Sequence, residues 1–144
     1  MNRQKDISIV VPVYNEQDSI SLLIKEIVNQ AAECNIKEII FINDGSNDLT
    51  KQKILEAKSN NSIIKLLDFK LNRGKSEALS KGFYFASGDY IITIDGDLQD
   101  DPSEIKKFIS KLNDGWDLVC GWKKTRNDPI SKTLPSRIYN FFVR

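Results

Sequence analysis

The chain contains no histidine. Serine–histidine and cysteine–histidine nucleophilic machinery is thereby excluded, as is histidine-ligated zinc. Cysteine is scarce. Cys34 and Cys120 lie far apart and make no metal-spaced pair, so two reduced, buried thiols are expected rather than a bridge. No run approaches the roughly 18 apolar residues of a membrane span. The polar residues 1–6 lead straight into a strand-like segment and do not have the pattern of a signal peptide. A soluble, intracellular chain is expected, still able to attach to a membrane surface. An excess of either charge is also lacking: 21 Lys and Arg face 20 Asp and Glu, and a net charge of +1 gives no global attraction for nucleic acid. There are no internal repeats and no low-complexity segments. What remains is ordinary for a globular protein: 144 residues, 40% hydrophobic and 28% charged, enough for one domain with a real core.

Hydrophobic patterning predicts alternating strands and helices. Ile7–Val13 is a near-continuous β-branched run, as expected of a central parallel strand, with the donor-less Pro12 near its end. A helix from about residue 18 carries Ile20, Leu23, Ile24, Ile27, Val28 and Ala31 on one face, with Asp18 or Ser19 as its cap. Strands follow at 38–42, 62–69 and 90–94, with helices at 49–58 and 76–86 between them. The second of these helices should turn Ala78, Leu79, Phe83 and Ala86 inward. A helix at 103–112 and a fifth strand at 117–120 complete the pattern. The expected fold is a parallel, doubly wound α/β sheet with helices on both faces. Right-handed crossovers then bring all strand C-termini to one edge.

That edge collects four polar loops: Tyr14-Asn15-Glu16, Asn43-Asp44-Gly45, Asn72-Arg73-Gly74-Lys75 and Asp95-Gly96-Asp97. Ligands of open α/β sheets bind just outside such ends. Asp95 and Asp97, joined by a residue without a side chain, offer hard oxygen ligands. These suit Mg²⁺ or Mn²⁺, itself holding a substrate's phosphates. The plain alternative is a surface turn, since Asp and Gly are common turn residues. Gly74-Lys75-Ser76 is not a phosphate-binding P-loop, because the first glycine of that pattern is replaced by Phe69. The glycine fingerprint of dinucleotide-binding folds is missing after the first strand. The acidic Tyr14-Asn15-Glu16 loop also differs from the Gly-rich, basic loop of sugar-nucleotide-forming nucleotidyltransferases.

Val11-Pro12-Val13-Tyr14-Asn15-Glu16, Asn43-Asp44-Gly45-Ser46, Asn72-Arg73-Gly74-Lys75 and Asp95-Gly96-Asp97-Leu98-Gln99-Asp100-Asp101-Pro102, in this order and spacing, resemble glycosyltransferase family 2. They look most like its polyprenyl-phosphate (dolichol- and undecaprenyl-phosphate) transferases. The resemblance runs from Ile7 to the end. It implies a GT-A fold and inverting transfer of a sugar from a UDP- or GDP-sugar to a lipid phosphate, for cell-envelope glycan or glycolipid synthesis. It implies that Pro12, Tyr14 and Glu16 line the nucleotide pocket and that Asp44 accepts a hydrogen bond from the base. Lys75, Asp95 and Gly96 would also contact the nucleotide, with Arg73 close to the phosphates. Asp95, Asp97 and Gln99 would gather round Mg²⁺ or Mn²⁺, with Asp97 the first choice as direct ligand and both aspartates catalytic. Asp100 and Asp101 look like the approach to the following helix.

The acceptor phosphate is already anionic and needs no strong general base, so the lack of histidine is no obstacle. It needs cations. Residues 122–144 are predicted to form a basic amphipathic segment after a core of residues 1–121, with Leu134, Ile138, Phe141 and Phe142 on one helical face, either lying on an anionic membrane surface or packing on its own domain with its basic residues solvated. By resemblance, Lys123, Arg126, Lys132 and Ser136 would bind the acceptor phosphate, with Ser131 and Arg137 as close competitors. The resemblance further implies a cytoplasmic location, peripheral on or anchored to the inner face of the membrane. It leaves room for a homo-oligomer formed through a C-terminal part beyond this chain. Two departures stand out: Asn43 replaces the family's usual first aspartate, and Lys123 replaces a frequent arginine and is a weaker fork for phosphate. Relatives continue past the position of Arg144, so a truncated chain is expected. The rival functions are a non-catalytic nucleotide-binding module and a family 2 transferase with a non-lipid glycan acceptor.

Overall fold

The computed structural model describes residues 4–121. Four parallel strands form one sheet in the order β3-β2-β1-β4. These are β1 (Ile7–Val13), β2 (Ile36–Asn43), β3 (Ile64–Asp68) and β4 (Tyr90–Thr93). The two strands richest in β-branched residues, β1 and β2, take the inner places, where both faces are covered. Pro12 pairs only on the β2 side, because β4 runs out opposite Val10 and the missing donor there costs nothing.

The period-2 alternation of β1 and β2 sorts their side chains into two cores. Ile7, Ile9, Val11, Val13, Ile39 and Phe41 pack against α1 (Ile20–Cys34), α2 (Thr50–Asn60) and α4 (Ile105–Asn113). Val10, Ile40 and Ile42 pack against α3 (Lys75–Phe85) through Ala78 on the other face. Helices thus cover both faces, as expected. The predicted apolar stripe of α1 is inside at Ile20, Leu23, Ile24 and Ile27.

Five expectations need correction. The fifth strand does not form. Residues 117–120 have no regular structure, and Leu118 is 78% exposed, because no neighbouring strand among the described residues takes up their backbone groups. Phe83 points outward rather than into the core. Gly82 takes the inward place instead, and a Cβ there would lie 2.4 Å from Val10 Cγ1 and 2.9 Å from Ile42 Cδ1. Neither Asp18 nor Ser19 caps α1 with its side chain. Cys34 is buried but Cys120 is exposed, though both thiols are free, as expected. The helix expected at 103–112 opens with a 3-10 turn over Pro102–Glu104 before α4.

At the N-terminal edge of the sheet one buried carboxylate joins four segments. Glu38 Oε1 accepts from Ser8 Oγ (2.6 Å), Ser87 N (2.7 Å) and Ser87 Oγ (2.9 Å), and its Oε2 pairs with Lys65 Nζ at 2.5 Å. Ser8 Oγ in turn accepts the Gly88 amide at 2.8 Å. Burial pushes the Glu38 carboxyl up, but the bonds from Lys65, Ser8 and Ser87 outweigh it and hold the group at about 2.

Candidate active site

All four polar loops converge on the C-terminal edge, and they are bonded to one another there. The loop after β1 is stitched to the loop after β2. Asn15, at φ 55°, donates its amide to Ser46 Oγ (2.9 Å) and accepts the Asn47 amide on Oδ1 (2.9 Å). The Glu16 amide donates to Thr50 Oγ1 (2.8 Å), and the Gln17 amide to Asp48 Oδ2 (3.1 Å). Burial raises the Asp48 carboxyl, but donors from Thr50 and Gln17 outweigh it and hold it below the usual carboxylate range. Asn43 Nδ2 donates to Asp68 Oδ1 at 2.7 Å, tying the end of β2 to the end of β3.

Asp44 is 4% exposed, and both its oxygens receive backbone amides of the loop before α3: Arg73 N on Oδ1 (2.7 Å) and Gly74 N on Oδ2 (2.8 Å). Gly45 makes this approach possible. It has φ +73°, and a Cβ there would lie 2.5 Å from Asn72 N and 2.6 Å from the Leu71 carbonyl carbon. The carboxylate for which the resemblance implies a base contact fixes the loop that carries Arg73 and Lys75. That tether depends on a contact 29 residues apart and has no local signal. The nearest sequence clue is the density of turn residues over 43–48.

The loop after β4 packs on the start of the β1 loop. A Cβ on Gly96 would lie 3.0 Å from Val13 Cγ1 and 3.2 Å from Glu16 Cγ, so only glycine fits without displacement. Ser19, expected as a helix cap, instead directs its hydroxyl to acceptors, with Gly96 O at 2.8 Å and Glu16 Oε2 at 2.9 Å. The structure therefore brings Pro12, Glu16 and Gly96 together, while Tyr14 stands 46% exposed beside them. Asp100 does not belong to the helix approach: its Oδ2 accepts the Asp95 amide at 2.9 Å and folds the loop back on the strand end. Asp101 does belong there, accepting Ser103 N at 2.9 Å as the cap of the 3-10 turn.

Asp95 sits where β4 ends, its side chain 32% exposed, and its Oδ1 pairs with Lys75 Nζ at 2.5 Å. Both residues line a groove of about 1050 Å³ together with Gln99, Ile94, Phe83 and Phe108. Asp97 does not line it; it is exposed, and its Oδ1 accepts the Gln99 amide at 3.1 Å. Among the described residues no group of three or more His, Cys, Asp or Glu is gathered as a metal cage. A magnesium-like ion does not require one, since it is held by one or two carboxylates with the remaining positions filled by water and substrate phosphates. The donor types, hard carboxylate oxygens, suit such an ion, although of the two aspartates only Asp95 lines the groove. Asp95 and Asp97 supply hard oxygens on one short loop, and the Lys75 ammonium already stands as a cation on Asp95. Lys123, Arg126, Lys132 and Ser136, expected on the acceptor side, lie outside the described residues, as do Ser131 and Arg137.

Known proteins resemble this chain in sequence and in fold. It is 37% identical, over 97% of its length, to the undecaprenyl-phosphate 4-deoxy-4-formamido-L-arabinose transferase of Salmonella choleraesuis, and it spans 43% of that relative. Its fold matches the crystal structure of glucosyl-3-phosphoglycerate synthase from Mycobacterium tuberculosis in complex with uridine diphosphate. The TM-score is 0.63 at 25% identity, over 75% of this chain and 40% of the synthase. The same synthase in complex with Mn²⁺ and UDP-glucose matches with a TM-score of 0.63 at 24% identity, over 75% of this chain and 39% of the synthase. The sheet order, the helices on both faces and these neighbours define an α/β GT-A fold. The profile of glycosyl transferase family 2 matches residues 8–143, and the chain belongs to that family.

Proposed function

We propose that the protein to which this chain belongs is an inverting, metal-dependent glycosyltransferase that moves a sugar from a UDP- or GDP-sugar to a polyprenyl phosphate, as a step in making cell-envelope glycan or glycolipid. One observation carries the reading: four strand-end loops are bonded into a single rim that ends in a Lys75–Asp95 pair at the head of an open groove. The lipid phosphate acceptor is supported by the likeness to an undecaprenyl-phosphate transferase. The nucleotide donor and the cation are supported by the folding neighbour, which binds UDP-glucose and Mn²⁺.

In this mechanism Pro12, Tyr14, Glu16 and Gly96 form the wall of the nucleotide pocket, and Asp44 orders its floor while reaching the base. Asp95, Asp97 and Gln99 hold the divalent cation. A bound Mg²⁺ or Mn²⁺ supplies Lewis-acid stabilisation of the negative charge that develops on the leaving diphosphate. Lys75 would add a second positive charge beside that diphosphate. No residue has to remove a proton, since the attacking phosphate oxygen is already anionic. Lys123, Arg126, Lys132 and Ser136 hold that acceptor against the sugar's free face, and the segment around them attaches to the inner face of the membrane. Among the described residues no helix is long and apolar enough to cross a membrane.

The test is a panel of sugar nucleotides given to the full-length protein with undecaprenyl phosphate and Mn²⁺, with lipid-linked sugar read by mass spectrometry. Product is expected with Mn²⁺ and none with a chelator. Asp97→Asn should lower transfer by about 10²-fold or more with unchanged thermal stability, because Asp97 is exposed and asparagine keeps the oxygen that accepts the Gln99 amide. Undiminished product in chelator, or an unfolded Asp97→Asn protein, would overturn the metal role. Transfer only to soluble acceptors would replace the lipid.

A further inference from the structure

Lys75 is the first residue of α3, and its side chain leaves the helix at the end where the unpaired amides put positive potential. An ammonium there is unfavourable unless an anion receives it. Asp95 does so at 2.5 Å. The backbone below this contact cannot give way: Asp44 holds the two preceding amides, and Gly45 closes against Asn72. The side chains above it can. Lys75 is 59% and Asp95 32% exposed, so water competes for both ends of the pair and separation is cheap. Beyond it, among the described residues, lies the groove.

We infer that Lys75 is a placeholder cation, holding Asp95 until a divalent ion arrives with the nucleoside diphosphate and then turning its ammonium to that diphosphate. The inference rests on the metal-dependent reading above and adds an order of events to it. With Lys75 on Asp95, a dication alone must compete with a resident charge for the same oxygen. With a diphosphate present, the ammonium has a better partner, and the Lys75 charge leaves Asp95 Oδ1. Cation and diphosphate therefore bind with positive coupling, and Lys75 is the residue through which that coupling passes.

Binding of Mn²⁺, followed by electron paramagnetic resonance in the presence and absence of UDP or GDP, tests this without any turnover. The Lys75→Met variant should bind Mn²⁺ alone roughly two- to fivefold more tightly than wild type, while the nucleotide should tighten Mn²⁺ binding less than it does in wild type. Lys75→Arg keeps the charge and should restore weak binding of the bare ion. Circular dichroism identifies any variant that fails to fold, and Lys75→Gln then replaces it. If wild type binds Mn²⁺ with nucleotide but Lys75→Met takes up bare Mn²⁺ no better, the placeholder role is overturned and the functional reading stands. If neither protein binds Mn²⁺ with UDP or with GDP, both fail.

Discussion

Lys65–Glu38 and Lys75–Asp95 are both ammonium–carboxylate pairs at 2.5 Å, set at opposite ends of one sheet. Their surroundings differ. The Glu38 side chain is 1% exposed and receives three further hydrogen bonds besides the lysine. Asp95 is a third exposed and faces a groove. The first pair is a fastening, whose carboxylate has no route back to water. The second is an exchangeable contact, whose members are both open to water. Distance does not separate them; burial does.

The sharpest way to break the comparison is at Glu38. Glu38→Ala removes the acceptor of the Ser8 hydroxyl and of the Ser87 amide and hydroxyl, and should cost about 3–4 kcal/mol in urea denaturation. Nucleotide affinity of the folded fraction should not change. The same group sets an acid limit. Its folded pKa of about 2 lies below the ordinary 4.5, so its contribution is complete above about pH 5 and drains away as pH falls towards 2. Wild type should lose about 3 kcal/mol across that window, and Glu38→Gln should lack this part of the decline.

At the other end of the sheet, effects on stability should shrink while effects on binding grow. Gly45→Ala forces an unfavourable φ and pushes on the backbone of Leu71 and Asn72, for about 2–3 kcal/mol of destabilisation. Calorimetry should show nucleotide binding weakened in the same variant. Asp44→Asn is the mildest of the series. One of the two loop amides loses its acceptor, costing about 1–2 kcal/mol, yet nucleotide affinity should fall more than this stability change suggests. If Asp44→Asn bound nucleotide normally, Asp44 would be a fastening like Glu38.

How much of this was legible in the chain depended on whether the cause was local. The four strands and the buried stripe of α1 were legible because β-branched runs and a 3.6-residue period are properties of single segments. The motif loops were placed correctly because parallel crossovers leave no other edge for them. Phe83 was misread because the helical period alone cannot say that α3 lies too close to β1 for anything larger than glycine at the contact. The strand at 117–120 was misread because β-propensity describes a segment's fitness for a sheet and not the presence of a neighbour to pair with. In the site, Asp95 and Lys75 were singled out one by one, but their pairing spans 20 residues. The tether from Asp44 to the Arg73 and Gly74 amides is likewise a tertiary fact.

The close seam between α3 and the sheet, with Ala78 and Gly82 against Val10 and Ile42, also has a meaning in time. A helix seated that near to two buried strands cannot slide or rock without opening a void in the core. Any travel of the Lys75 charge is then left to its own bonds, and exposed side chains change rotamer in picoseconds to nanoseconds, against microseconds to milliseconds for collective domain motion. On the proposed reading, the handover of the charge would be far faster than any collective motion, and would order binding without limiting its rate.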